Sequence, residues 1–189
     1  AQLHSTVGNL ELNLKKHYQY IQQAILNNVS LITFPEMSIT GYTRKQGNEL
    51  ALTCDSPELN QLKKLSTEGN LIIVAGAPIK LNKTLFIGSF IIYQNKPVDT
   101  YIKRFLHTGE DLYYQSSLDY NPIIKINQER ISLAICAEIN HKEHIKTAHC
   151  NNSTIYLPSI FYSENGMEEA HSILSNYAKE FNIPILMSN

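Results

Sequence analysis

Short, nearly unbroken apolar runs that stop at a proline or a turn recur along this chain, with helical stripes between them. Leu31-Ile32-Thr33-Phe34 stops at Pro35, and residues 154–157 stop at Pro158. Residues 71–75 and 183–187 are runs of the same kind. Strands without a polar face must be covered on both sides, as in layered α/β proteins. The stripes supply that cover: Leu14, Tyr18, Ile21 and Ile25; Leu59, Leu62 and Leu65; and Ile173, Leu174, Tyr177, Ala178 and Phe181. Asn9 or Asn13 is the expected cap of the first helix. Ser56-Pro57-Glu58 opens the second and Gly69-Asn70 ends it. Asn140 is the expected cap of another helix over 141–150. Residues 84–93 and 97–101 form two β-rich runs around Gln94-Asn95-Lys96, and 123–126 with 131–135 reads as a hairpin, so the sheets are expected to be mixed.

The order βαβαβ, a block of strands, then βαβαβ shows no repeat or linker. At 189 residues, 43% of them hydrophobic, a single domain spanning 1–189 is expected. A formal net charge of −1 and the lack of a basic amphipathic segment argue against nucleic acid and membrane surfaces as partners. The apolar runs are too short to span a bilayer. The start, Ala1-Gln2-Leu3-His4, shows no charged segment followed by an apolar stretch. Cys54, Cys136 and Cys150 are odd in number and widely spaced, which does not suit a disulfide framework. A reducing, cytoplasmic location is the expectation, with each thiol available as core filler, nucleophile or metal ligand.

Three positions have the chemistry of a site. Glu36 follows the run that ends at Pro35, and ligands of open α/β sheets collect where strands end. A shielded carboxylate there has its pKa raised toward the range of a general base. Cys136 closes Ile131-Ser132-Leu133-Ala134-Ile135, and the next backbone N–H, of Ala137, is placed to meet a developing oxyanion. Lys103 follows a β-run; a lysine in an apolar pocket lowers a thiol's pKa and stabilises transition-state charge. Taken singly, each position also reads as something plainer: a loop acid, a small buried hydrophobe, a solvated cation.

Taken together the three resemble the nitrilase superfamily, the carbon–nitrogen hydrolases. Glu36 in Leu31-Ile32-Thr33-Phe34-Pro35-Glu36, with the following Thr40-Gly41-Tyr42, looks like that family's glutamate motif. Lys103 in Tyr101-Ile102-Lys103-Arg104-Phe105-Leu106 looks like its lysine motif, and Cys136 in Ile135-Cys136-Ala137-Glu138 like its nucleophile motif. Order and separation also fit, and residues 178–189 are similar to the family's region after the nucleophile.

The resemblance implies an α/β fold, a four-layer αββα sandwich with two mixed sheets. The family usually continues with strands beyond the position of Asn189, so its C-terminal part is expected to be missing from this sequence. It implies a second glutamate, matched by Glu110, that fixes Lys103 and tunes Glu36. It implies hydrolysis of a small amide, carbamoyl or nitrile substrate through a cysteine thioester, with no metal or organic cofactor, in homodimers or larger assemblies. Glu138 stands where the family usually has aspartate, and a nearby proline is absent, Lys142 lying in that stretch. Ala137 stands where true nitrilases of the family tend to have tryptophan, which favours an amide or carbamoyl substrate. Tyr42, Tyr113, Phe161 and Tyr162, with Tyr114, are the aromatic candidates for a pocket, and equally for ordinary packing.

Two other readings compete. One is a protein of this fold that binds a ligand or partner without turning it over. The other is a metal site from His141, His144, His149 and Cys150, against which surface histidines are the plainer expectation.

Overall fold

The computed structural model describes residues 1–116 and 122–189. Helix α1 (Leu10–Leu26) leads into β1 (Leu31–Thr33), and α2 (Asn60–Glu68) leads into β2 (Ile72–Leu81). Strands β3 (Thr84–Ile92) and β4 (Asp99–Ile102) follow. Then come β5 (Ile123–Ile126), β6 (Glu129–Ile135), α3 (Lys142–Cys150), β7 (Ile155–Ser159) and α4 (Glu164–Phe181). One sheet has the order β1-β2-β3-β4, with β1 parallel to β2 and the rest antiparallel. The other has the order β5-β6-β7, antiparallel and then parallel. Both sheets are mixed, as the sequence leads one to expect.

The period of two along each strand builds three apolar interiors between four layers. Ile73, Ala75, Ala77 and Ile79 of β2, with Phe90 and Ile92 of β3, face α1 and α2. Their neighbours Ile72, Val74, Ile87 and Ile91 face Ile131, Leu133, Ile135 and Leu157 of the second sheet. Beyond that sheet, Ala134 and Tyr156 pack on Ile145, Ala148, Ala170 and Leu174 of α3 and α4. The result is an αββα sandwich.

Three local expectations need correcting. Strand β2 runs past residue 75 to Leu81, through Gly76 and Pro78, which read as breakers in sequence. Pro78 is tolerated because its carbonyl faces away from β3 and accepts Leu52 N at 3.0 Å, on the side β1 has already left. Asn82 and Lys83, at φ 48° and 71°, then turn the chain into β3. Asn140 does not cap a helix: it ends a single 3-10 turn, Cys136–Asn140, and α3 begins after His141. Residues 183–187 form no continuous strand. They meet β7 by isolated parallel bridges at Ile185 and Ser188, Pro158 and Pro184 each removing a donor. The Ile173 stripe lies within α4, whose earlier turns from Glu164 present no stripe, Ala170 being the buried residue there.

Asn9 is the cap of α1, accepting from Leu12 N at 3.0 Å. Asn13, the alternative, is buried one turn further in and holds Thr6 and Ile39 O. Among the described residues no helix is long and apolar enough to cross a membrane.

Candidate active site

The ends of β1, β4, β6 and β7 converge. Glu36 lies three residues past β1, Lys103 and Cys136 directly past β4 and β6, and Phe161 and Tyr162 just past β7. The ends of β1 and β7 and the segments after them meet here: Glu36 N donates to Ile160 O at 3.3 Å, and the Thr33 and Ser159 hydroxyls lie 3.2 Å apart. The Glu36 loop lies so close on β2 that a Cβ at Gly76 would sit 2.5 Å from Met37 N and 2.7 Å from Pro35 O. Only glycine admits that approach.

At the centre is Lys103, with no exposed surface. Its Nζ is 2.6 Å from Glu36 Oε1, and 3.0 and 2.9 Å from Glu110 Oε1 and Oε2. Glu110 also accepts from Tyr42 Oη and from His107 N, both at 2.7 Å, so it is held from three sides. Burial alone would lower the Lys103 pKa, but Glu36, Cys136 and Glu110 raise it instead, and the ammonium stays charged. Glu36 is 2% exposed. Burial pushes its carboxyl up; Lys103 opposes this and Glu110 reinforces it, with a net rise. Its Oε2 has no aligned hydrogen bond among the described residues, and the Cys136 thiol is close enough to interact with this carboxylate.

Cys136 sits at φ 45°, a left-handed conformation that costs a non-glycine residue about 1 kcal/mol. It is held there by the tight turn that follows β6. The side chain is 5% exposed, and its Sγ–H points to Phe161 O at 4.0 Å. Burial and the Glu36 charge push the thiol up, against the pull of Lys103. The lowered thiol pKa that a neighbouring lysine suggests is therefore not the net result. Two carboxylates and one ammonium already bury a surplus of negative charge, and a resting thiolate would add to it. Ala137 is the second residue of the 3-10 turn, where an N–H has no acceptor within so short a helix.

Glu138 is wholly buried and ties the site together. Its Oε1 accepts Arg104 N at 2.5 Å, and its Oε2 accepts Ile135 N at 2.6 Å and Tyr101 Oη at 2.7 Å. Burial pushes its pKa up to about 7, against these donors.

Over Cys136 opens a cleft of about 250 Å3, lined by Tyr42, Glu110, Phe161 and Tyr162 together with Arg44 and His107. A second, of about 370 Å3, reaches Glu36 and shares Tyr42, Phe161 and Tyr162. Tyr42 and Phe161 stack at 5.0 Å between ring centres, 7° from parallel, as a common wall. The structure thus brings together Glu36, Lys103, Glu110, Cys136, Tyr42, Phe161 and Tyr162. Tyr113 is exposed and lines neither cleft, and Tyr114 is buried with its hydroxyl on Thr43 O at 2.6 Å. Arg44 and His107 escaped the sequence reading, although Arg44 directly follows the Gly41-Tyr42-Thr43 stretch of the glutamate motif. No cluster that could hold a metal occurs among the described residues. His144 is not a surface histidine but 2% exposed, between Tyr101 and Tyr156. All three cysteines are free.

Comparison with known proteins supplies the frame for this geometry. An arylacetonitrilase of Aspergillus oryzae is 32% identical over 96 residues, which are 44% of this chain and 29% of that protein. The NitN amidase of Nesterenkonia superposes with a TM-score of 0.88 at 16% identity, over 100% of this chain and 75% of the amidase. Saccharomyces cerevisiae Nit3, of the nitrilase superfamily, gives a TM-score of 0.86 at 17% identity over 99% and 73%. The match thus spans under a third of the curated relative's length and about three quarters of the two solved chains. The family model for carbon-nitrogen hydrolases matches residues 1–189, and the chain therefore belongs to the carbon-nitrogen hydrolase family.

Proposed function

We propose that this chain hydrolyses a small amide through a thioester on Cys136. The observation that carries the reading is the single buried cluster in which Lys103 contacts Glu36 and Glu110 beside the Cys136 thiol. An amide carbonyl resists attack, so the reaction needs a thiolate, and a thiol held protonated at rest needs a base beside it. Glu36, raised by burial, is that base.

The steps follow from these positions. Glu36 takes the Sγ proton as sulfur bonds to the carbonyl carbon. The Lys103 ammonium and the Ala137 N–H hold the oxyanion, each donor lowering the barrier by about 3 kcal/mol. The oxyanion collapses, Glu36 hands its proton to the departing nitrogen, and ammonia or an amine leaves. Glu36 then takes a proton from water as it attacks the thioester, and the proton returns to sulfur as the acid leaves. Glu110 keeps Lys103 charged and placed. The scheme calls for no metal or organic cofactor.

The substrate is read as a small molecule, since the clefts hold about 250 and 370 Å3. A solved variant of the Nesterenkonia amidase supports the thiol's role: in it, acrylamide has undergone Michael addition at the active-site cysteine. The arylacetonitrilase relatives favour a second reading, in which sulfur adds to a nitrile carbon and the thioimidate hydrolyses to the same thioester. A homo-oligomer in the cytoplasm, where three free thiols stay reduced, completes the reading.

Ammonia release from a panel of short amides and the matching nitriles tests it. Cys136→Ala should abolish release while the circular dichroism spectrum is unchanged. Release that persists at the parent rate in this variant would overturn the reading. The amide-to-nitrile rate ratio separates its two forms.

A further inference from the structure

One carboxylate, Glu138, accepts the backbone N–H directly after Lys103 and the one directly before Cys136, at 2.5 and 2.6 Å. It is the side-chain link between the segments that bear the proposed cation and the proposed nucleophile, which come from different sheets. Behind it a hydrogen-bonded chain runs into the outer layer. Tyr101 Oη is 2.7 Å from Glu138 Oε2 and 2.8 Å from His144 Nε2, and His144 Nδ1 is 2.8 Å from Tyr156 Oη. All four side chains are 0–2% exposed.

With Glu138 as the carboxylate, counting protons gives the chain one direction. With two backbone N–H groups on Glu138, the carboxylate form also takes the Tyr101 hydroxyl proton. The oxygen of Tyr101 must then accept, so His144 has its hydrogen on Nε2, and its Nδ1 accepts from Tyr156. Each donor has one acceptor and none is left over, the condition under which a buried polar network holds a single geometry. Both tyrosines are kept protonated by burial, with the Glu138 charge adding to the effect.

We propose that Tyr101, His144 and Tyr156 are positioning residues that act through Glu138 to hold Lys103 and Cys136 in register across the two sheets. The inference rests on reading those two residues as cation and nucleophile. Nothing in it requires the chain to touch the substrate, so it should affect turnover and not affinity.

The test uses Tyr101→Phe, Glu138→Gln and the double variant of the full chain. One readout is iodoacetamide modification of Cys136, mapped by peptide mass, with exposed Cys150 as internal control. The other is kcat and KM on whichever amide the parent hydrolyses. Tyr101→Phe should slow Cys136 modification about tenfold and lower kcat by a similar factor, with KM within about twofold. Because Tyr101 acts through Glu138, the double variant should be no slower than Glu138→Gln alone. Modification in Tyr101→Phe at or above the parent rate would overturn the proposal, as would two effects that simply multiply. If no amide is hydrolysed but modification shows the non-multiplying loss, the network stands and the hydrolase reading falls. If amides are hydrolysed and modification is unaffected, the reverse holds.

Discussion

The two outer layers each bury one histidine, and the pair makes an instructive contrast. His17 on α1 is fully buried against Phe34, with Nδ1 on Asn13 O at 2.8 Å and Nε2 on Ser38 Oγ at 3.0 Å. His144 on α3 is buried as deeply and also uses both nitrogens. Burial lowers both pKa values from 6.5 to about 4, so both rings are neutral near pH 7. Yet His17 ends its contacts on a serine of the Glu36 loop, while His144 continues through Tyr101 to the carboxylate that grips two strands. Equal burial and equal protonation give unequal reach, because reach depends on what the last partner holds.

The contrast breaks most sharply by deletion. His144→Leu leaves the Tyr101 and Tyr156 hydroxyls short of a buried partner and should lower the unfolding free energy by about 4 kcal/mol, measured by urea melts. It should also slow Cys136 modification. His17→Leu strands one serine hydroxyl and should lower stability by about 2 kcal/mol without changing Cys136 modification. Equal effects of the two on the thiol would erase the distinction.

Acid sharpens it next. A histidine neutral in the fold but titrating at 6.5 when unfolded contributes stability that is complete above pH 6.5 and is lost as pH falls toward 4. Glu138 has the opposite sign: raised to about 7, it favours the fold below pH 4.5, and that contribution is lost as pH climbs from 4.5 to 7. Each histidine shift is worth up to about 3 kcal/mol. Both leucine variants should therefore show a flatter fall in stability between pH 6.5 and 4 than the parent. A parent-like slope in either would mean that its ring is already charged in the fold.

The smallest expected effect is that of Tyr156→Phe, which removes one hydrogen bond at the far end of the His144 chain. It should cost about 1 kcal/mol of stability. A loss as large as that of His144→Leu would place the strength of the chain at its outer end.

Much of the layering was legible in the sequence. Buried strands show as unbroken apolar runs, and the αβ order fixes which faces need cover. Glu36, Lys103 and Cys136 were legible for a different reason: strand ends are marked by the polar residue that breaks each run, and their order resembles one family. What escaped shares one cause, contact between segments distant in sequence. Gly76 and Pro78 look like breakers until the Glu36 loop and Leu52 are seen against them. Tyr101, His144 and Tyr156 look like a strand aromatic, a surface histidine and a core filler, since only the fold puts their polar tips together. The first turns of α4 present no stripe because little covers them.

The protonated state of Cys136 has a consequence for durability. Oxidants attack thiolates far faster than thiols, and they need access. A thiol that is 5% exposed and pushed up by burial and by its carboxylate neighbour is shielded on both counts while the cleft stands empty. Peroxide should reach the exposed Cys150 first. In the proposed reaction Glu36 takes the Cys136 proton only as sulfur bonds to the substrate carbon, so turnover would add little to the oxidative risk.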